Sequence, residues 1–114
     1  MSLIFKIMPK SMWDIAVRDG EFKGAPVDLA DGFIHFSAGD QVKETAAKHF
    51  AGQTDLVLIA CDADAFGPAM KWETSRGGAL FPHLFDTMPV DTALWVKDLP
   101  LGDDGVHQFP ELSQ

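Results

Sequence analysis

The chain begins with an apolar run, which is followed by a segment whose apolar residues recur at helical spacing. Residues 3–7 have one polar interruption, Lys6, and predict a short strand at a sheet edge or at the end of a barrel. Ser11 and Asp14 have the spacing of a capping box, which predicts a helix that begins at Ser11. Gly20 is a typical residue at a helix C-terminus, so this first helix is expected to end there.

The middle of the chain contains a connection with glycine and proline, then a predicted strand, then a predicted helix. Residues 21–30 contain Gly24 and Pro26 and predict an irregular connection. Residues 33–37 predict a strand. Ser37 and Asp40 repeat the capping-box spacing, so a second helix is expected directly after that strand and is expected to close before residue 52.

Extended segments dominate the second half of the chain. Residues 56–61 are apolar throughout and predict a central strand, while residues 69–73 and 93–97 predict further strands. Residues 80–85 are also extended, but Pro82 lacks a backbone N–H and restricts that strand to a sheet edge or a bulge.

The order of these elements predicts one α+β domain over residues 1–100. Helices come early and strands come late, which favours a mixed, split β-sheet with two early helices over a doubly wound fold. A chain of 114 residues is the size of one domain. Residues 101–114 contain few apolar side chains and are expected to form a surface tail.

Composition and charge narrow the classes of function. Seventeen acidic residues against nine basic ones give a net charge of −8, which makes nucleic-acid binding and anionic membranes unfavourable partners. One cysteine excludes a disulfide framework, and the longest apolar run is too short to span a bilayer. No secretory signal opens the chain, so we expect a cytoplasmic protein whose ligand is a small molecule.

The first candidate for chemistry is the segment Asp-Gly-Phe-Ile-His-Phe-Ser at residues 31–37. His35 and Ser37 share one face of the predicted strand, and Ile34 and Phe36 share the other. If the apolar pair enters the core, His35 and Ser37 face a cleft, where an imidazole can bind a ligand hydroxyl. The alternative is structural: a half-buried histidine followed by an ordinary helix cap.

The second candidate is the segment Trp-Glu-Thr-Ser-Arg-Gly-Gly at residues 72–78, followed by Phe-Pro-His-Leu-Phe at residues 81–85. Arg76 beside Gly77 and Gly78 predicts an anion clamp, because backbone amides approach a ligand closely where no Cβ intervenes. Glu73 is a candidate base or charge stabiliser, and His83 a candidate phosphate or hydroxyl contact. The structural alternative is an exposed Glu–Arg pair, an ordinary glycine turn and a histidine packed between phenylalanines.

Other reactive residue types have simpler interpretations. His35, His83 and Glu73 are the ligand types that zinc or iron takes, but no short spacing supports a metal site and we predict none. Cys61 ends an apolar strand and is interpreted as a packed thiol rather than a nucleophile.

The two motifs together resemble the uncharacterised bacterial and plant family DUF952, over roughly residues 3–98. That family resembles the ADP-ribosyltransferase fold, whose split sheet encloses a cleft for NAD. The resemblance implies that His35 and Ser37, a histidine followed two residues later by serine on an early strand, contact the ribose of NAD.

The remaining parts of that resemblance match this chain less closely. Those transferases often stack nicotinamide on a tyrosine, which this chain lacks; phenylalanine at position 36, 50, 81 or 85 is the substitute. They also place a late glutamate beside the reacting carbon, a role for which Glu73 is the nearby candidate. The related RNA 2′-phosphotransferases use histidine and arginine instead, which His35, Arg76 and His83 resemble.

Two hypotheses of different class follow from these residues. In the first, the chain is an enzyme that uses NAD or an ADP-ribosylated small molecule, with chemistry like that of the ADP-ribosyltransferases or the RNA 2′-phosphotransferases. Its catalytic residues are His35, Glu73 and His83, and its further cofactor contacts are Ser37, Arg76, Gly77 and Gly78. In the second, the same cleft is a non-catalytic module that binds a nucleotide or a sugar phosphate.

Overall fold

The structure, a computed structural model, describes residues 1–113 of the chain, with the exception of the side chain of Arg76. In chain order its elements are β1 (Leu3–Pro9), α1 (Lys10–Asp19), β2 (Glu21–Phe22), α2 (Pro26–Asp31), β3 (Ile34–His35), β4 (Ser37–Ala38), α3 (Val42–His49), β5 (Leu56–Asp62), β6 (Met70–Thr74), β7 (Leu80–Leu84), β8 (Met88–Pro89) and β9 (Ala93–Leu99). Short 3₁₀ turns occupy Ala63–Ala69, Arg76–Gly78 and Val90–Thr92.

The strands divide between two main sheets and one small ribbon. The first sheet has the order β4-β1-β5-β9, the second has the order β3-β7-β6, and β2 pairs with β8. All strand pairs described in residues 1–113 are antiparallel. The α+β class is therefore confirmed, but the described pairings are antiparallel where a mixed sheet was predicted, and three helices rather than two precede β5.

Strands β1 and β5 form the centre of the first sheet. The prediction of a central strand at residues 56–61 is confirmed, because β5 lies between β1 and β9 and its residues Leu56–Cys61 are buried. The prediction of an edge position for residues 3–7 is wrong, because β1 lies between β4 and β5 and pairs with β5 along its whole length. Its polar interruption, Lys6, is buried rather than directed to solvent.

The first sheet carries a core on each of its faces. On one face Ile4 and Met8 of β1 pack with Ile59 of β5 and with Trp13 of α1. On the other face Phe5 and Ile7 pack with Leu58 and against the apolar side of α3. Because consecutive strand residues alternate between faces, two covered faces explain why β5 is an unbroken apolar run.

Both predicted capping boxes are wrong. Helix α1 begins at Lys10, directly after Pro9, and no side chain caps it, so Ser11 already lies inside the helix. Its end at Gly20 is confirmed, since this residue has the left-handed conformation that suits glycine (φ 86°). In the part of the chain that the structure describes, no helix has the length and apolarity needed to cross a membrane.

The second predicted cap fails for a related reason. Ser37 belongs to β4, and α3 begins five positions later at Val42 with Gln41 before it. The Ser37 hydroxyl instead lies 2.9 Å from the Thr45 hydroxyl within the helix. The predicted helix-supporting pair Glu44–Lys48 is present, with 2.6 Å between the charged atoms.

Residues 21–30 are more regular than predicted. They contain β2 and the start of α2, which has Pro26 at its first position. Asp28, at the third position of α2, accepts a hydrogen bond from the backbone N–H of Ala25 at 2.7 Å. Proline at a helix start and an acidic side chain that satisfies a free N–H are both favourable, and they form this helix despite Gly24.

The single strand predicted at residues 33–37 is interrupted at Phe36. Strand β3 before it belongs to the second sheet, and β4 after it belongs to the first. At the crossing, the backbone N–H of Phe36 donates to the carbonyl of Pro82 at 3.0 Å. The chain therefore passes from one sheet to the other between His35 and Ser37.

Strand β7 is the middle strand of its sheet, so the prediction that Pro82 restricts it to an edge or a bulge is wrong. The carbonyl of Pro82 faces Phe36, and the N and C=O of one strand residue point to the same side. The missing N–H therefore faces the side on which β3 has already ended at His35.

Residues 101–113, predicted to be a surface tail, pack along the first sheet. Leu101 and His107 form an isolated β-bridge, and the buried His107 places Nε2 at 2.9 Å from the carbonyl of Gln53. The indole N–H of Trp95 in β9 donates to the carbonyl of Ser113 at 3.2 Å.

Candidate functional site

A cleft of about 620 Å³ opens where the two sheets meet. It is bounded by β1, the ends of α2 and α3, and the β6–β7 hairpin. Its walls include Lys6, Asp31, His35, Ser37, Phe81 and His83. Of the predicted site residues, His35, Ser37 and His83 border this hollow.

Strand pairing brings the two predicted histidines together. His35 of β3 lies directly opposite His83 of β7, and their ring centroids are 5.5 Å apart. The ring of Phe33 contacts both, stacking on His83 at 4.2 Å and lying tilted against His35 at 4.7 Å. These aromatic contacts restrict the orientations of both imidazoles.

A buried carboxylate orients His35 from behind. Asp28 Oδ1 lies 2.6 Å from His35 Nδ1 and also accepts a hydrogen bond from the His35 backbone N–H at 3.1 Å. Asp28 is 1% exposed, whereas the His35 side chain is 31% exposed. A carboxylate that accepts from Nδ1–H fixes the orientation of the ring and directs Nε2 away from itself, as in the histidine–aspartate pair of serine proteases.

Lys6 completes this cluster from the interior. Its ammonium lies 3.0 and 3.1 Å from the two Asp28 oxygens and donates to the His35 carbonyl at 2.8 Å. One buried lysine therefore holds both the carboxylate and the backbone of the histidine. Replacing it would leave a buried carboxylate with one charged partner fewer.

The pKa values of this buried pair follow from its contacts. Burial by itself would raise the pKa of Asp28, but hydrogen bonding from His35, the charge of Lys6 and two backbone N–H groups together lower it to about 2. Burial lowers the pKa of Lys6, and the attraction of Asp28 offsets this only in part. Asp28 is thus a carboxylate throughout the neutral range.

Asp31 faces the other nitrogen of the ring. It is the last residue of α2, and its Oδ2 lies 2.9 Å from His35 Nε2. Its side chain is 47% exposed and borders the cleft. Both ring nitrogens of His35 thus contact a carboxylate, one buried and one at the surface.

Ser37 and His83 lie in the walls with little exposed surface. Ser37 is 5% exposed and its hydroxyl bonds to Thr45. The side chain of His83 is also 5% exposed, and its Nδ1 lies 3.4 Å from Glu73 Oε1. His35 is therefore the more accessible of the two histidines.

The other predicted site residues lie at the hairpin. Glu73 in β6 is 46% exposed and reaches the site through His83, without itself bordering the cleft. Gly77 and Gly78 form the exposed turn between β6 and β7, both with positive φ. The side chain of Arg76 lies outside the described part of the chain, so its predicted role stays a prediction. Its neighbour Ser75 borders the cleft.

Aromatic residues supply the apolar side of the cleft. Of the four phenylalanines that the sequence offered as ring-stacking substitutes, Phe36, Phe50 and Phe81 border the hollow. Phe36 is buried, whereas Phe50 and Phe81 are partly exposed. A flat ligand ring therefore has two accessible phenylalanines to stack on.

Sequence reasoning missed Lys6 and Asp28, the residues that orient His35. Both left a signal. Lys6 is the only polar residue in an otherwise apolar strand, and Asp28 stands two positions after a proline at a helix start. A lone lysine in a buried strand indicates a buried partner carboxylate, because an unpaired buried charge is too costly to retain.

Two other kinds of chemistry, a metal site and a reactive cysteine, were considered from the sequence. Within residues 1–113, no three histidine, cysteine or carboxylate side chains are grouped so as to hold a metal ion. Cys61 is buried, and burial raises the pKa of its thiol to about 12, although a hydrogen bond with Thr92 opposes this. Its interpretation as a packed thiol is confirmed.

Comparison with known proteins places the chain among uncharacterised relatives. The family described as "Protein of unknown function (DUF952)" matches residues 7–96. The crystal structure of protein CC0527 from Caulobacter crescentus is 53% identical, with 94% of each chain covered and a TM-score of 0.91. Its solution NMR structure is 54% identical over 95% of this chain and 93% of that chain, with a TM-score of 0.86. The sequence matches no curated protein.

Proposed function

The chain belongs to the DUF952 family, and we propose that its cleft binds NAD or ADP-ribose through a ribose and serves ADP-ribosyl transfer. One observation carries this proposal: Asp28, held by Lys6, orients His35 so that Nε2 faces a cleft. An imidazole in this arrangement donates to, or accepts from, a sugar hydroxyl with its geometry fixed in advance.

The walls of the cleft suit the rest of such a ligand. Phe50 and Phe81 offer apolar surface for a nicotinamide or adenine ring, and Ser37 adds a hydroxyl on the opposite sheet. The volume of about 620 Å³ lies in the range typical of small-molecule sites. The split pair of sheets around a cleft is consistent with the proposed ADP-ribosyltransferase-like fold.

In the proposed reaction the N-glycosidic bond between nicotinamide and ribose breaks, and nicotinamide leaves as the neutral base. The oxygen of an acceptor hydroxyl bonds to the anomeric carbon, and the acceptor's proton passes to solvent. His35 binds the ribose and positions that carbon. Positive charge develops on the sugar ring, and Glu73 is the carboxylate proposed to stabilise it, from its place beside His83. Arg76, Gly77 and Gly78 are proposed to bind the pyrophosphate, together with His83.

A second function is favoured by the position of Glu73. Its carboxylate is half exposed and contacts His83 rather than the cleft interior. If it does not approach the anomeric carbon, the same site binds the ligand without breaking a bond. The chain is then a module that recognises a nucleotide or a sugar phosphate.

Turnover of NAD tests the proposal and separates the two functions. Purified protein incubated with NAD, with water as acceptor, is expected to release nicotinamide, measured by chromatography. His35→Ala is expected to lower this release at least about 100-fold, the contribution of a positioned acid–base group. Binding of ADP-ribose, measured by calorimetry, is expected to weaken in the same variant.

The control is a histidine elsewhere in the chain. His107 bonds to Gln53 in the segment after β9 and does not border the cleft, so His107→Gln is expected to keep both turnover and binding. Saturable binding with no nicotinamide released would select the non-catalytic module. Equal binding by wild type and a folded His35→Ala variant would remove both functions.

A further inference from the structure

Asp31 and His35 form a matched donor–acceptor pair at the cleft. Asp31 Oδ2 lies 2.9 Å from His35 Nε2, and both side chains border the hollow. When both ring nitrogens carry a proton, Nδ1–H donates to Asp28 and Nε2–H donates to Asp31. In the absence of a ligand these two groups satisfy each other.

We infer, on the basis of the proposed function, that Asp31 is a specificity-determining residue that selects ligands with an unmodified vicinal diol. One ribose hydroxyl accepts a hydrogen bond from His35 Nε2–H, and its neighbour donates to the Asp31 carboxylate. A diol supplies both an acceptor and a donor on adjacent carbons, which is the complement of this pair.

Charge in the cluster excludes a phosphate at the same position. Lys6 pairs with Asp28 inside the fold, and Asp31 pairs with His35 at the cleft. The two basic side chains among these four groups, Lys6 and His35, each already face a carboxylate. A phosphate ester on the diol would have no hydroxyl to donate to Asp31 and would place its negative charge beside that carboxylate.

The same logic operates in other nucleotide sites. In dinucleotide-binding domains a carboxylate hydrogen-bonds the free ribose 2′-hydroxyl, whereas an arginine accommodates a 2′-phosphate. Asp31 is a carboxylate and so suits a free hydroxyl, although it lies at the end of a short helix rather than after a strand. The ligand class that follows is ADP-ribose or NAD with a free ribose diol, and not a phosphorylated ribose.

The test compares two probes against three proteins. The probes are ADP-ribose and ADP-ribose 1″,2″-cyclic phosphate, in which a phosphate blocks the 2″-hydroxyl of the terminal ribose, the ribose that the proposed reaction places at His35. The proteins are wild type, Asp31→Asn and Asp14→Asn. Asp14 is an exposed acid paired with Lys10 and does not border the cleft, so its variant controls for the change in net charge.

Wild type and Asp14→Asn are expected to bind ADP-ribose at least about tenfold more tightly than the cyclic phosphate. Asp31→Asn is expected to bind ADP-ribose about tenfold more weakly and to lose most of the discrimination. Because Asp31 is half exposed, we expect the variant to fold, and its melting temperature verifies this.

The outcomes separate the two proposals. Wild type that binds ADP-ribose but does not discriminate, or a folded Asp31→Asn variant that keeps the ratio, overturns the role of Asp31 and leaves the proposed function standing. Wild type that binds neither probe overturns both.

Discussion

At the scale of single residues, the site depends on a buried chain of contacts from Lys6 through Asp28 to His35. Each link is within hydrogen-bond distance, and the first two side chains are almost fully buried. A buried ion pair adds little net stability compared with an apolar pair of similar size, because desolvation opposes the attraction. Its retention here is therefore better explained by what it positions, which is the imidazole at the cleft.

The lowered pKa of Asp28 makes the stability of the fold depend on pH. Its pKa is about 2 in the folded chain, against an ordinary value of 3.8. The ionised group therefore stabilises the fold above the ordinary value, and this contribution is lost as the pH falls through the folded value. A difference of this size corresponds to about 2 kcal/mol.

Removal of the pair is expected to flatten that dependence. Between pH 6 and pH 2, the free energy of unfolding of wild type should fall by about 2 kcal/mol more than that of Lys6→Met/Asp28→Asn, measured by urea denaturation. The double substitution removes both buried charges together, so no unpaired charge remains to prevent folding.

The matched control makes the same substitutions in an exposed pair. Lys10 and Asp14 are more than half exposed, and pairs of this kind contribute only about 0–1 kcal/mol. Lys10→Met/Asp14→Asn should therefore keep the wild-type pH dependence. If the buried and exposed double variants respond to acid alike, Asp28 does not have the role described.

At the scale of secondary structure, the segment from α2 to β4 builds the site. Helix α2 carries Asp28 and Asp31, and the chain then places His35 in one sheet and Ser37 in the other. The left-handed Gly32, with φ of 87°, ends the helix and directs the chain into β3. These few residues therefore set where each polar side chain meets the cleft.

Part of this arrangement is predictable from local sequence. Residues 56–61 predict a central strand because an unbroken apolar run indicates burial on both faces, and Gly20 predicts a helix end because few residues adopt its conformation. His35 and Ser37 were identified because polar residues interrupt an apolar segment. These predictions depend only on residues that are close together in the sequence.

The remainder depends on contacts between distant residues. Lys6 and Asp28 are 22 positions apart, so the polar interruption of β1 indicates a partner carboxylate but does not identify which one. The pairing of His35 with His83 is likewise a matter of register between β3 and β7. The two capping boxes were wrong because Ser–Asp spacing is common by chance, and tertiary packing sets the helix starts.

The turn at Gly32 gives a prediction at this scale. Gly32→Ala leaves the new Cβ with no atom within 4 Å, so its effect comes from the positive φ alone. A left-handed conformation costs an alanine about 1–2 kcal/mol, and the free energy of unfolding should fall by that amount in urea denaturation.

Gly39 is the control for this substitution. It lacks a positive φ, and an added Cβ would meet Phe5 at 3.6 Å, an ordinary contact. Gly39→Ala should therefore change stability by less than about 0.5 kcal/mol. Equal losses in the two variants would show that the turn at Gly32 carries no conformational cost.

At the scale of the whole molecule, two antiparallel sheets support one cleft within an acidic protein. The net charge of −8 disfavours a polyanionic partner such as RNA, whereas a dinucleotide bears few charges and is largely enclosed. The local balance around His35 points the same way, because both described basic side chains of that cluster, Lys6 and His35, face a carboxylate. Molecular charge and site geometry together favour a small ligand with sugar hydroxyls.

Intermolecular nuclear Overhauser effects between ADP-ribose and isotope-labelled wild-type protein test this account most directly. The account predicts saturable binding, with contacts from the His35 imidazole ring protons to protons of one ribose and from Phe50 or Phe81 to a flat ring of the ligand. Absence of binding, or ribose contacts confined to residues away from His35, would contradict it.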